Sequence, residues 1–328
     1  MRDADGFLSV SCAADPLDLR PALDALTAEI QKRSRSRPLV VLMAELHDRP
    51  AHKALRQGLL ARLLAGTSPL ACGLELEHNL AQKALSGDFL GRLPQSLRDR
   101  VGGPDRDGRK LIELFHEMCL PREAPAAYKN ILAFCYHNHI PVSANDAAKI
   151  YLNTRCRIDP KDPATFDFLR RQGAHKFQAW MMRAGFMSVT SPGGLAFRNG
   201  MIAERAVKDM RAKNVPVYVQ DCGLSHLFGR TDRNKLFKDS LSACFARAGV
   251  DVMPVMVTAP GWGVSDTPTE AYPMLAEKGL VIHGVSGTSF FSIDRRTDEV
   301  DFLRRIRRHS GNEIAVYPAY DGLHPLGV

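Results

Sequence analysis

The sequence predicts an α/β protein: a mainly parallel central sheet flanked by helices, with a helical insertion or subdomain. Three observations predict it. Short continuous apolar runs alternate with longer amphipathic stretches, the pattern of βαβ units. The runs lack strict polar alternation, as strands covered by helices on both faces do. Two of them carry proline near the strand start, Pro141 and Pro216, where a missing N–H is tolerated.

The elements follow in order. Asp15 to about Ser34 reads as a helix. Asp15 can cap it, Pro16 suits the first helical position, and Leu19, Leu23, Leu26 and Ile30 recur at helical spacing. Residues 38–43 form the first buried strand. A second helix follows near 51–64, with Leu55, Leu59, Leu60 and Leu63 on one face. Further strands are predicted at 71–76, 140–144, 215–220 and 250–257. Helices near 126–137, 198–213 and 233–248 precede the last three. Residues 78–137 and 158–197 lack strand patterns and read as helical insertions. The region after Thr258 is rich in Gly and Pro, with strand-like residues 280–282 and 314–317. With no Pro/Gly/Ser linker dividing the chain, residues 1–328 are expected to form one α/β domain carrying those insertions.

Composition excludes several classes. At 45% hydrophobic and 24% charged, the 328 residues are neither disordered nor fibrous. No window approaches 18 consecutive apolar residues, so no transmembrane helix is expected. The first twelve residues lack the apolar core of a secretory or lipoprotein signal, despite Cys12. The expected location is the cytoplasm, or outside the cell by a route without a classical signal. The net charge is +8, concentrated in arginine-rich clusters at 32–37 and 304–308. Few aromatics interleave with them, so no specific nucleic-acid partner is expected. Seven scattered cysteines form no CxxC pair, which argues for neither a zinc knuckle nor a disulfide framework.

The polar groups fall at predicted strand ends, where open parallel sheets bind ligands. Glu45, His47 and Asp48 follow the first strand, and Glu45 and His47 share a side if the chain stays extended. Glu75 and Glu77 end the next. Glu75 sits in an apolar run, where a carboxylate needs a partner. Asn145-Asp146 ends the third and either lines the cleft or, the favoured role, caps a helix. Asp221, Cys222, Gly223 and His226 end the fourth, with Asp221 either a site residue or a helix cap. Arg198, opening the 198–213 helix, could grip a carboxylate or phosphate in bidentate fashion. GxGxxG after a strand, GxxxxGK[ST], HExxH and GxSxG are all absent, which argues against dinucleotide binding, P-loop NTPases, zincins and α/β-hydrolases.

Taken in order, Glu45-x-His47, Glu75, Arg198-Asn199-Gly200-Met201 and Gly223-x-x-His226 resemble the Tiki/TraB/ChaN/erythromycin-esterase superfamily. The ChaN branch is nearest in pattern, since Ala44-Glu45-Leu46-His47-Asp48 and then Gln57 resemble its first motif and following helix. The resemblance spans about residues 38–230. One departure is Ala44, where the family has glycine. The resemblance implies metal-dependent peptidase chemistry in Tiki-like members, metal-free lactone opening in erythromycin-esterase-like members, and haem binding in ChaN-like ones. Related domains also occur in bacterial toxins.

The donor chemistry ranks these outcomes. Glu45, His47, Glu75 and His226 together suit manganese, cobalt or zinc with an open water position. Such an ion would activate water and polarise a carbonyl. Without metal, His47 or His226 would serve as general base, oriented by Glu45 or Glu75, and Arg198 would hold the oxyanion. The leading expectation is hydrolysis of an ester or amide in a small-molecule or peptide substrate. Haem or small-ligand binding is the alternative, and a secreted bacterial effector a further one.

Overall fold

The computed structural model describes residues 9–11, 20–45, 50–66, 69–78, 131, 135, 138–152, 155–171, 173, 188–228, 239–258 and 280–283. Along the chain these give β1 (Ser9–Ser11), α1 (Arg20–Ser34), β2 (Leu39–Glu45), α2 (Pro50–Ala65), β3 (Leu70–Glu77), β4 (Val142–Asp146), β5 (Lys149–Leu152) and β6 (Arg155–Ile158). Then come α3 (Pro163–Arg171), α4 (Pro192–Lys213), β7 (Val217–Gly223), α5 (Leu224–Phe228), α6 (Leu241–Arg247), β8 (Asp251–Val257) and β9 (Leu280–His283).

Seven strands form one sheet in the order β1-β9-β8-β2-β7-β3-β4. Every pairing in it is parallel. β5 and β6 make a separate antiparallel pair. The α/β class, with helices on both faces, therefore holds.

The side-chain period of two divides the core. Leu39, Val41 and Met43 face α1 and α2, where Leu23, Leu26, Leu55 and Leu59 close one hydrophobic layer. Val40, Leu42 and Ala44 face the other way, against Ile202, Val207 and Met210 of α4 and Phe245 of α6. Both layers are buried, which explains why these strands read as continuous apolar runs.

Several boundaries differ from the sequence reading. α4 does not open at Arg198 but at Pro192, capped by the Ser191 hydroxyl, which accepts from Gly194 N–H. The Pro-Gly-Gly run resembles a helix breaker. Here Pro192 takes the first turn, where its missing N–H is harmless. Gly194 is required because a Cβ there would collide with the Ser188 carbonyl oxygen. Arg198 and Asn199 consequently sit nearly two turns inside the helix.

Residues 158–197 are also not helical throughout. The described part holds the end of β6, the nine-residue α3 and an isolated bridge from Ser188 to Arg157. Strand-like 280–282 is confirmed as β9, parallel between β8 and β1. The expected cap at Asp15 and Pro16, nearly all of 78–137, and 314–317 lie outside the described residues. So do residues 233–238, at the start of the predicted 233–248 helix, whose described part is α6, capped by Ser240.

Candidate functional site

The site lies at the carboxyl ends of β3, β4 and β7, and one irregularity creates it. β3 pairs with β7 only from Leu70 to Gly73, and its register with β4 shifts between Leu74 and Glu77. Beyond Gly73 two carboxylates take over from the β3–β7 ladder. Asp221 Oδ1 accepts from Glu75 N–H at 2.5 Å, and Glu75 Oε2 accepts from Gly223 N–H at 2.6 Å. The parting strands therefore keep their main-chain donors satisfied while their side chains converge.

Glu75 points toward α4. Its Oε1 accepts from Arg198 Nη2 at 2.5 Å and meets His226 Nε2 at 2.9 Å. Its side chain is only 8% exposed, so these polar partners hold a carboxylate that would otherwise be costly to bury.

His226 stands two residues past the α5 start and is itself buried. Its Nδ1 lies 2.5 Å from Asn199 Oδ1. Asn199 Nδ2 in turn donates to the Asp239 carbonyl at 2.8 Å. Arg198 and Asn199, consecutive on α4, thus position Glu75 and His226 respectively.

Arg198 directs its guanidinium inward. Nε donates to Asp146 Oδ1 at 2.9 Å, Nη2 to Asp146 Oδ2 at 2.7 Å, and Nη1 to the Val189 carbonyl at 3.4 Å. Lys149 Nζ reaches Asp146 Oδ2 at 2.9 Å. Burial by itself would raise the Asp146 carboxyl. The Arg198 and Lys149 charges outweigh it and hold Asp146 well below the ordinary carboxylate range. The same pairing outweighs burial for both cations and raises them. Asp146 does not cap a helix, because β5 follows it.

Glu45 belongs to the opposite face of the sheet. It is buried against Lys53 Nζ of α2 at 2.9 Å. Asp221 likewise pairs with the buried Arg56 of α2, and sits inside β7 rather than capping α5. Cys222, next along β7, is buried on the α4 face. Burial first, then the neighbouring carboxylates Glu75 and Asp221, push its thiol well up, which suits an inert core cysteine.

The structure brings Glu75, Arg198 and His226 together and sets Glu45 apart. His47 and Asp48 lie outside the described residues. Of the expected donors, the sheet separates Glu45, on Lys53, from Glu75 and His226, and Glu75 sits on a guanidinium that opposes a divalent cation. Among the described residues, no group of three or more His, Cys, Asp or Glu side chains could hold a metal ion. The described donors do not fit such an ion.

Asp146, Lys149 and Asn199 were not singled out for the roles they take here. Their only sequence signal is position. Asp146 ends a strand, and Asn199 follows Arg198, so the next residue of a helix turns about 100° toward a different neighbour.

Gly73 has its own role. Asn145 Nδ2 donates to Gln220 Oε1 at 2.7 Å and to Tyr218 Oη at 3.0 Å, and this bridge crosses directly over Gly73. A Cβ there would collide with Gln220 and lie 2.7 Å from Asn145 Nδ2. Two grooves border α4, one of about 930 Å³ facing α3 and α6 and one of about 400 Å³ facing β4 and α3. Glu75, Arg198 and His226 line neither.

Comparison with known protein families and with curated proteins finds no match. Two solved structures are distantly similar. One is ChaN of Campylobacter jejuni, described with cofacial haem binding. It is 11% identical with a TM-score of 0.42, over 73% of this chain and 88% of that one. The other is the type III effector HopBA1, 15% identical with a TM-score of 0.38, over 74% of this chain and 84% of that one. Among the described residues no helix is long and apolar enough to cross a membrane.

Proposed function

We propose that the chain hydrolyses an ester or amide bond of a small-molecule or peptide substrate, using Glu75 and His226 as an acid–base pair. One observation supports this reading: a buried imidazole held between a carboxylate and an amide oxygen at the carboxyl ends of a parallel sheet. In this scheme water is the nucleophile. The pair takes its proton as water attacks the carbonyl and returns it to the departing oxygen or nitrogen. Arg198 positions Glu75 through the anchored Asp146 instead of binding substrate, because its donors are directed at protein acceptors.

The test is turnover of a panel of chromogenic esters and fluorogenic peptides by wild type, Glu75→Gln and His226→Gln, with circular dichroism as the folding control. Loss of a positioned acid–base group costs about 10²–10⁴-fold. Turnover that falls by at least about 10²-fold in both folded variants supports the reading. Turnover unchanged in either variant, or absent from wild type across both substrate classes, overturns it.

A further inference from the structure

We infer that Asn199 is a positioning residue that locks the tautomer of His226, keeping hydrogen on Nδ1 and assigning Nε2 as the ring atom that exchanges a proton with Glu75. The far end of the amide fixes its orientation. The Asp239 main-chain carbonyl can only accept, so the amide atom facing it at 2.8 Å must be the NH₂ group. That fixes the flip of Asn199 and leaves Oδ1 toward His226, 2.5 Å from Nδ1. An amide oxygen also only accepts. A bare Nδ1 would set two lone pairs against each other at that distance, between two buried side chains. Nδ1 therefore carries hydrogen, whether the proton on the other side of the ring resides on Nε2 or on Glu75 Oε1, 2.9 Å away.

Free neutral histidine samples both tautomers, so the lock has to come from the protein. Here it comes from α4. Asn199 is wholly buried, and its one amide joins the chain at Asp239 to the ring on α5. The inference concerns the same site as the proposed hydrolysis but is tested without any substrate.

The experiment is a long-range ¹H–¹⁵N correlation spectrum of uniformly ¹⁵N-labelled full-length protein, with His226 assigned by the signals missing in His226→Gln. The expected wild-type result is an Nδ1 resonance of the hydrogen-bearing type. Asn199→Asp, which keeps an acceptor, should retain that signature. Asn199→Leu, which keeps the branched heavy-atom shape and removes the acceptor, should lose it through exchange with the other tautomer. An unprotonated-type Nδ1 in wild type overturns the inference, as does an unchanged signature in a folded Asn199→Leu. If Asn199→Leu does not fold, the wild-type spectrum decides alone. A locked ring in a protein that hydrolyses nothing would sink the proposed function and leave this inference standing.

Discussion

Asp146→Asn is the most informative single perturbation. Asp146 is fully buried and anchors two cations, Arg198 through Nε and Nη2 and Lys149 through Nζ. Asparagine keeps the shape and removes the charge. Arg198 retains Glu75, while Lys149 faces a neutral amide with its side chain only 16% exposed. Removing one partner of a buried pair costs about 3–5 kcal/mol, because the other charge stays buried. At roughly 2–3 °C per kcal/mol for a large domain, that is about 6–15 °C in Tm.

The pH dependence gives a second, independent signature. The folded Asp146 carboxyl lies below its unfolded value, so its stabilisation is complete above an ordinary carboxylate pKa of about 3.9. It is lost as pH falls through the folded value. The wild-type advantage over Asp146→Asn should therefore be widest near neutral pH and shrink in acid. Urea unfolding of both proteins across that range measures it. A difference under about 0.5 kcal/mol at pH 7, the size of an ordinary surface change, would refute the reasoning. So would a gap that does not narrow in acid.

Gly73→Ala should cost about 1–3 kcal/mol in urea unfolding, because the added methyl displaces the Asn145–Gln220 bridge above it. Ser191→Ala should lower stability by about 0.5–2 kcal/mol in the same measurement, by removing the α4 cap. Cys222 should resist a thiol-modifying reagent at pH 8 until the protein is denatured, as read by mass spectrometry of its peptide. Rapid native labelling would contradict its burial and raised thiol.

The strands were legible because burial on both faces leaves no polar interruption, as in Leu39–Met43. Glu75 was legible for the opposite reason, as a carboxylate in an apolar run that demands partners. The start of α4 was not, because Pro192-Gly193-Gly194 resembles a loop until Ser188 and Ser191 are seen holding it. The split of Glu45 from Glu75 was also hidden. Both lie near the carboxyl ends of strands, yet the period of two sends Glu45 to α2 and Glu75 to α4, and only strand order reveals which helix covers which face. Asp146 showed only its place at a strand end, and its pairing was hidden because the partners Lys149 and Arg198 stand 3 and 52 residues further along the chain.

The central claim is that Glu75 and His226 act as one unit. A double-mutant cycle on kcat/KM, with Glu75→Gln, His226→Gln and the double variant on the best substrate of the panel, tests it most directly. Residues that act together are strongly non-additive, so the double variant should be no slower than the slower single one. Losses that multiply would mean the two side chains work independently, and the pair would not be the catalytic unit.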